Sequence, residues 1–370
     1  MTEHPGFILT VIAFVLVLGP LVFVHEMGHY LVGRWFGVKA ESFSIGFGRE
    51  IWGRTDTRGT RWKIGMLPLG GYVQFAGDMD PSSRPDKEWE QLPADERDKT
   101  FQSKTLLQRA LIVFAGPAIN FLFAGLILAG FAMAYGKSET PPIVKSVLPD
   151  SAAASAGLRP GDEITAVDGE PVQWFDELGR AVAHRPDEAI TLTVERDQKI
   201  RHVEMTIGVD VQRDRFGNEY RIGRLGIMSV EPVMRPVSLL EAPVVAVERT
   251  GDILNLMVDT LGQIITGRRS VAELGGPLKI AQISGEQFVS GPGNFIFFIA
   301  LISINLGFIN LLPIPMLDGG HLLFYAIEAV RRKPADSRVQ EWAFRSGLAL
   351  VWALMLFVTF NDLVSFGLLS

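Results

Sequence analysis

The sequence contains no cysteine among its 370 residues, and charged residues make up only 21% of it. The absence of thiols excludes a disulfide framework, a cysteine-ligated zinc site, an iron–sulfur cluster and a thiol nucleophile. Positive charge is not in excess either, since the formal net charge is −6, and we therefore expect no nucleic-acid partner. With 48% hydrophobic residues and a mean hydropathy of +0.23, the chain is not of the disordered class. This composition indicates a protein that lies partly in a lipid bilayer.

The hydrophobic residues are concentrated in four runs that carry no charged side chain. These runs cover residues 6–24, 110–135, 293–317 and 346–361. The first three are long enough to cross about 30 Å of hydrocarbon, and the fourth is too if it continues past Asp362 to the apolar end of the chain. A signal peptide is the alternative for the first run, but a positive segment before it and a small-x-small cleavage site after it are both missing. We predict a polytopic α-helical membrane protein with four transmembrane helices.

Lysine and arginine in short flanking loops predict the orientation of the helices, because cytoplasmic loops are rich in them. The link between the third and fourth runs contains three arginines and one lysine between residues 331 and 338. This link is therefore predicted to be cytoplasmic. Alternation of the spans then puts segment 37–104 inside the cell, and both termini and segment 137–292 outside it.

The segments between the runs differ in character and predict the domain organisation. Region 1–136 contains the first two helices, with a cytoplasmic β-loop at 40–77 and a polar loop at 78–104 between them. Region 142–208 is predicted to be a separate domain, and region 209–292 an amphipathic linker region. Region 293–370 contains the last two helices. Helical periodicity within the linker runs from about Leu239 to Thr266.

Short β-like runs alternate with turn residues in two of these regions. In the separate domain they are 143–147, 164–167, 190–194 and 202–207, and in the β-loop they are 42–47, 61–66 and 72–75. Gly70-Gly71 is predicted to separate the last two runs of the β-loop. The pattern predicts a small β-rich domain of the α+β type and a β-loop at the membrane.

Three ionisable residues stand close together at the end of the first run, in the sequence His25-Glu26-Met27-Gly28-His29. On a helix the two histidines lie one turn apart on one face, where they can bind one zinc ion. Glu26 lies beside them, where it can take a proton from metal-bound water. The rise from Phe7 to His25, about 27 Å, puts the motif within the membrane near its inner face. Because ionisable groups at that depth need a partner, the motif predicts a metal site.

Catalytic zinc usually has three protein ligands and one water, so a third ligand is required. The end of the third run offers Asp318 and His321, after Pro313 and Pro315 have interrupted the helix. Asp318 reaches the inner face at about the depth of the two histidines, and it is the preferred third ligand. His321 is the alternative.

Two motifs of this sequence resemble those of the site-2 protease family of intramembrane metalloproteases. They are His-Glu-x-x-His in the first run and Asn-x-x-Pro-x-Pro-x-Leu-Asp-Gly-Gly in the third. Between the second and third runs, the stretch from Pro149 to Gly169, which includes Ala-Gly-Leu-Arg-Pro-Gly-Asp-Glu-Ile, resembles a PDZ domain of bacterial proteases. The arrangement is similar to the bacterial, regulator-of-sigma-E-protease-like branch, from which this chain departs in having a single PDZ pattern.

The resemblance implies a role for particular residues of this chain. It implies that one Zn²⁺ ion is held by His25, His29 and Asp318, with Glu26 as the general base. It further implies that substrate is positioned by Asn310, by Asn120 within Gly116-Pro117-Ala118-Ile119-Asn120, and by Gly71, Tyr72 and Val73 of the membrane-associated β-loop. The PDZ domain implies an extended peptide ligand, although a spacer that binds nothing has the same pattern.

The activity implied is cleavage of transmembrane segments of single-pass membrane proteins. Substrates of the anti-sigma-factor or signal-peptide-remnant type would be cut during regulated intramembrane proteolysis in the bacterial inner membrane, near the cytoplasmic face. An inactive membrane PDZ adaptor and a zinc transporter are the alternatives. The intact set of His25, Glu26, His29 and Asp318 argues against the adaptor, and the clustering of these residues at one depth argues against the transporter.

Overall fold

The computed structural model describes residues 6–77, 93–213, 219–266, 275–333 and 336–365. Most of the predicted polar loop, part of the predicted linker and the end of the fourth run lie outside these residues. The chain divides into two compact units, one made of residues 1–130 and 243–370 and the other of residues 131–242.

The helices of the described residues are α1 (Phe7–Trp35), α2 (Ala94–Arg97), α3 (Leu106–Tyr135), α4 (Ala152–Ser155), α5 (Phe175–Ala183), α6 (Ala242–Ile265), α7 (Pro277–Val289), α8 (Pro292–Leu311), α9 (Asp318–Arg331) and α10 (Ser337–Ser365). The strands are β1 (Ala40–Thr55), β2 (Arg61–Phe75), β3 (Lys137–Glu139), β4 (Val144–Val147), β5 (Glu163–Val167), β6 (Glu170–Pro171), β7 (Ala189–Arg196), β8 (Lys199–Thr206), β9 (Gly208–Arg213), β10 (Glu219–Arg224), β11 (Ile227–Ser229) and β12 (Val233–Arg235).

Four of these helices, α1, α3, α8 and α10, are long and apolar enough to cross a membrane. They coincide with the four hydrophobic runs, so the prediction of four helices of spanning length is confirmed. The third run is not helical throughout, because α8 ends at Leu311 and α9 begins at Asp318. Pro313 and Pro315 stand in the turn between them, where their rings and missing amide hydrogens prevent a continuous helix, as the sequence predicted.

The predicted β-loop is a curved sheet made of the long strands β1 and β2. Residues 42–45 of β1 have pairing partners both in residues 61–64 and in residues 71–74 of β2. Strand β2 runs through Gly70 and Gly71 without interruption, so the predicted separation at these glycines is wrong. The register changes there instead, and Gly70 has a φ of +95°, which a glycine adopts without strain. The bend brings residues 71–75 against one side of β1.

Asp362, the charged residue within the apolar run of α10, has a structural partner. Its side chain is fully buried, and its two oxygens accept hydrogen bonds from the backbone amides of Gly276 and Lys279, at 3.0 and 3.1 Å. These amides open α7, whose own N-cap residue supplies no side-chain cap. Because the first amides of a helix lack partners and carry a partial positive charge, Asp362 caps α7 from another helix. Helix α7 in turn packs Ile283 near Val17 and Leu21 of α1.

Residues 131–242 have their own hydrophobic core, which includes Ile164, Leu178 and Leu192. The central sheet has the strand order β6-β5-β7-β8, and α5 buries Leu178 and Val182 against the core. The four predicted strands of this domain fall on β4, β5, β7 and β8. Residues 209–242, which the sequence assigned to the linker region, group with this unit and carry the short strands β9 to β12.

The Arg-Pro-Gly-Asp turn of this domain is held by a buried ion pair. Asp162 is fully buried and accepts hydrogen bonds from Nε and Nη2 of Arg196, at 2.6 and 2.7 Å, and from the amide of Arg159, at 2.8 Å. Burial alone would raise the pKa of the Asp162 carboxyl, but these hydrogen bonds outweigh it and lower the pKa below its ordinary value. The pair thereby ties the start of β5 to the end of β7.

Candidate metal centre

Side chains from α1 and α9 meet at one point within the first unit. His25 and His29, one turn apart on α1, have their Nε2 atoms 3.2 Å from each other. Oδ2 of Asp318, the first residue of α9, lies 3.2 Å from Nε2 of His25 and 3.6 Å from Nε2 of His29. The structure thus brings together the three residues that the sequence predicted as ligands.

The spacing of these three atoms fits a zinc ion. Nitrogen and oxygen ligands at about 2.0–2.2 Å from tetrahedral zinc lie roughly 3.3–3.6 Å from one another. The separations of 3.2, 3.2 and 3.6 Å are close to this range. Oδ2 of Asp318 is buried and has no hydrogen-bond partner among the described residues, as expected of an atom whose partner is a cation. His321 is not a member of this three-residue group.

Helix α3 orients His29 through a backbone group. Nδ1 of His29 lies 2.9 Å from the carbonyl oxygen of Ile112. A carbonyl oxygen only accepts hydrogen bonds, so Nδ1 carries the proton and Nε2 keeps its lone pair for a metal ion. Hydrogen bonds of this kind fix the ring and its tautomer in metal sites.

Gly116 of α3 provides the space that the two imidazole rings occupy. A Cβ atom at this position would lie 2.2 Å from Nε2 of His29 and 2.9 Å from Cε1 of His25. Both distances are too short for non-bonded atoms. The close approach of α1 and α3 at the ligands therefore depends on a residue without a side chain.

We expect Gly116→Ala to lose zinc binding, because the new methyl group displaces one or both histidines from their ligand positions. The zinc content of the purified protein, measured by atomic absorption, tests this. Gly125→Ala on the same helix is the matched control, since nothing lies within 4 Å of a Cβ atom there, and it should keep its zinc. A full zinc content in Gly116→Ala would contradict the close packing described here.

The candidate base, Glu26, is buried beside the ligands and packs against β2. The backbone of Val73 lies close to its carboxylate. A Cβ atom at Gly71 would lie 3.1 Å from Cγ of Glu26 and 2.6 Å from the carbonyl oxygen of Ser44, so only glycine allows β2 to pass this closely. The β-loop thus positions the carboxylate next to the metal site.

The turn between α8 and α9 delivers Asp318 to the site through close backbone packing. Cβ atoms at Gly319 and Gly320 would lie 2.3 and 2.4 Å from the carbonyl oxygens of Leu311 and Ile314. Met316, in the same turn, has a φ of +83°, which is rare for a residue with a side chain. The Asp-Gly-Gly sequence therefore combines a ligand with the small residues that the turn requires.

A cavity of about 560 Å³ opens beside the metal site. The predicted substrate-positioning residues that line it are Asn310, Gly71, Tyr72 and Val73, and it is also lined by Glu26, Asp318 and His321. Asn120 is different, because it is fully buried and its Nδ2 lies 3.1 Å from Nδ1 of His25. Sequence reasoning missed the Ile112 carbonyl and the space at Gly116, although Gly116 stood in the motif that drew attention to Asn120.

Comparison with known proteins agrees with this geometry. Residues 13–354 match peptidase family M50. An Agrobacterium fabrum protein with the name "Putative zinc metalloprotease" is 43% identical over 360 residues, which cover 96% of each chain. "Metalloprotease MmpA" of Caulobacter vibrioides is 35% identical over 382 residues, covering 97% of this chain and 96% of the relative.

Solved structures with local similarity include PDZ domains. The PDZ domain of the SdrC-like protein from Listeria monocytogenes aligns with 24% of this chain and 85% of its own, at 22% identity and a TM-score of 0.19. The corresponding domain from Listeria innocua aligns with 26% of this chain and 99% of its own, at 20% identity and a TM-score of 0.21.

Proposed function

Because the chain belongs to peptidase family M50, the site-2 protease family, we propose that it is an intramembrane zinc endopeptidase that cleaves transmembrane segments of single-pass membrane proteins. The observation that carries this proposal is the meeting of His25, His29 and Asp318 around one point, with Glu26 beside them. A complete ligand set with a neighbouring base is what hydrolysis of a peptide bond requires. It would serve no purpose in an adaptor that only binds.

The residues of the site divide the chemistry between them. Zinc, bound by the two histidines and Asp318, would lower the pKa of a bound water and polarise the scissile carbonyl. Glu26 takes one proton from the attacking water as the oxygen bonds to the carbonyl carbon. It then delivers that proton to the amide nitrogen as the carbon–nitrogen bond breaks. Because Gly71 of β2 packs closely against it, Glu26 has little freedom to turn away from the water between these two steps.

Segment 71–75 of β2 is the proposed docking edge for the substrate. A peptide bond within a helix is shielded by the hydrogen bonds of that helix, so the substrate must unwind where it is cut. Residues 71–74 pair with β1 on one side, and Gly71, Tyr72 and Val73 line the cavity. An unwound segment can add to such an edge as a further strand. Asn310, which lines the same cavity, is proposed to hydrogen-bond the substrate backbone.

Tyr72 forms part of the proposed substrate wall and is held by two neighbours. Its ring stacks on Phe47, with ring centroids 6.0 Å apart, and the Nζ atom of Lys63 lies 4.9 Å from its centroid. Phe47 also lines the cavity and is 45% exposed. The wall is therefore aromatic and apolar, which suits the side chains of a transmembrane segment.

The proposed setting is the bacterial inner membrane. The basic residues between 331 and 338 support a cytoplasmic position for the α9–α10 link, and hence a position near the cytoplasmic face of the membrane for the metal site at the start of α9. Both termini and the PDZ domain would then be extracytoplasmic, with the PDZ domain binding an extended peptide. Substrates of the anti-sigma-factor or signal-peptide-remnant type, cut in regulated intramembrane proteolysis, fit this arrangement.

A cleavage assay in detergent tests the proposed function. The full chain is mixed with a tagged single-span anti-sigma factor, with and without a zinc chelator, and the products are located by mass spectrometry. We expect a cut within the transmembrane segment that the chelator abolishes and added zinc restores. Cleavage that continues in the chelator would exclude a metalloprotease. Zinc binding without cleavage of any single-span protein tested would favour the adaptor.

A further inference from the structure

Asn120 of α3 contacts a predicted zinc ligand. Its side chain is fully buried, and Nδ2 lies 3.1 Å from Nδ1 of His25. Its backbone carbonyl accepts a hydrogen bond of 2.8 Å from Oγ of Ser303 on α8, which fixes this part of α3. Oδ1 of Asn120 has no hydrogen-bond partner among the described residues. The side chain does not line the cavity beside the metal site.

The position of Nε2 of His25 decides which hydrogen bond Asn120 can make. This nitrogen lies 3.2 Å from both Nε2 of His29 and Oδ2 of Asp318, at the point where the ligand atoms converge. An imidazole that binds metal through Nε2 carries its proton on Nδ1. Nδ1 of His25 is then a donor, and a facing amide NH₂ group would place two donors against each other.

A half-turn of the amide removes this conflict. The oxygen and nitrogen of an asparagine side chain are nearly identical in shape, and their assignment follows from the hydrogen bonds that they make. Turned in this way, the amide presents Oδ1 to Nδ1–H of His25 at the same distance. The buried pair is then a donor facing an acceptor.

We propose that Asn120 is a positioning residue of the metal site, whose Oδ1 accepts the Nδ1 proton of His25 when zinc is bound. The proposal rests on the proposed function, because it requires a zinc site. It replaces the substrate-facing role that the sequence suggested for Asn120.

With this hydrogen bond, one face of α3 would orient both histidines of the metal site. Ile112, Gly116 and Asn120 are spaced by four residues and so lie one above the other along the helix. The first offers a carbonyl oxygen to His29, the second leaves room for both rings, and the third offers Oδ1 to His25. Each histidine then has an acceptor on its Nδ1 and a free Nε2.

Two substitutions of Asn120 test whether the site needs a hydrogen-bond acceptor or a hydrogen-bond donor at this position. Asn120→Leu has nearly the same size but no polar atom, and we expect it to weaken zinc binding about 10–100-fold, the usual effect of losing such an outer partner. Asn120→Asp has acceptor oxygens only, and we expect its zinc affinity to stay within a few-fold of the wild type. Zinc affinity is measured on the purified full chain by competition with a fluorescent chelator, alongside KM and kcat.

The matched control is Ser303→Ala, which removes the hydrogen bond to the Asn120 backbone and leaves the amide side chain in place. We expect it to lower the unfolding temperature without a comparable change in zinc affinity.

An unaltered zinc affinity in Asn120→Leu, with a raised KM, would overturn the proposal in favour of a substrate contact. Loss of zinc in Asn120→Asp would also overturn it, because a donor would then be what the site needs, and this variant decides the matter if Asn120→Leu does not fold. A wild-type chain that binds no zinc would contradict the proposed function itself, which is a separate outcome.

Discussion

Glu26→Gln is expected to bind zinc normally and to cleave its substrate at least about 10²–10⁴ times more slowly than the wild type, the range that a positioned general base contributes. Glutamine has the size and shape of glutamate, so the packing of β2 against position 26 is preserved. Its amide has no basic oxygen of comparable strength and cannot accept the water proton. The ligands His25, His29 and Asp318 are untouched, which is why metal content and activity should separate. The measurement is kcat for cleavage of a single-span substrate, with zinc content determined on the same preparation.

A glutamate outside the cavity provides the control for this substitution. Glu328 lies on α9, pairs with Arg109 of α3 at 3.1 Å, and does not line the cavity. Glu328→Gln removes the same charge from the same unit and should lower stability more than the rate of the folded enzyme. Equal losses of kcat in the two variants would indicate a general effect of charge, and full activity in Glu26→Gln would exclude Glu26 as the base.

The ligands could be predicted from sequence because each depends on a rule that acts within one segment. The helical period places His25 and His29 on one face, and the hydrophobic length of the run predicts their depth in the membrane. The prolines before Asp318 end α8 at a similar depth, so the two segments deliver their side chains to one level. The structure adds the distances that make these three atoms a single site.

The supports of the site could not be predicted in the same way, because they are backbone groups or empty space. The Ile112 carbonyl is a backbone group that every residue type has, so the sequence carries no signal for it. The need for glycine at position 116 arises from the distance between two helices. The family resemblance drew attention to Asn120, but only the fold shows that it contacts His25.

The structural role of Asp362 could not be predicted from the sequence either. In the sequence it is a charge that interrupts an apolar run and leaves the length of the fourth helix open. In the structure it caps α7, a helix more than eighty residues earlier in the chain. A partner so remote has no local pattern. Strands β9 to β12 lie in residues that the sequence assigned to the linker region, where no β-like runs were predicted.

Asp318→Ala is expected to lose both zinc and activity. The substitution removes the only carboxylate among the three converging ligands and leaves two neutral imidazoles, which bind zinc much more weakly than a three-ligand site. Because the loss of an outer-shell partner alone costs about 10–100-fold in affinity, the loss of a direct ligand should exceed 100-fold. Zinc affinity by chelator competition and cleavage of a single-span substrate should therefore fall together, unlike the separation expected for Glu26→Gln.

His321→Ala is the matched variant, since His321 lines the same cavity three residues later on α9 but lies outside the ligand group. Its ring packs on Phe344, with centroids 5.0 Å apart, and we expect its loss to leave zinc affinity within a few-fold. Stoichiometric zinc in Asp318→Ala together with zinc loss in His321→Ala would make His321 the third ligand. Asp318→Asn separates charge from geometry, because it keeps an oxygen in place. Zinc binding intermediate between that of the wild type and that of Asp318→Ala would show that the site requires the negative charge as well as the position of that oxygen.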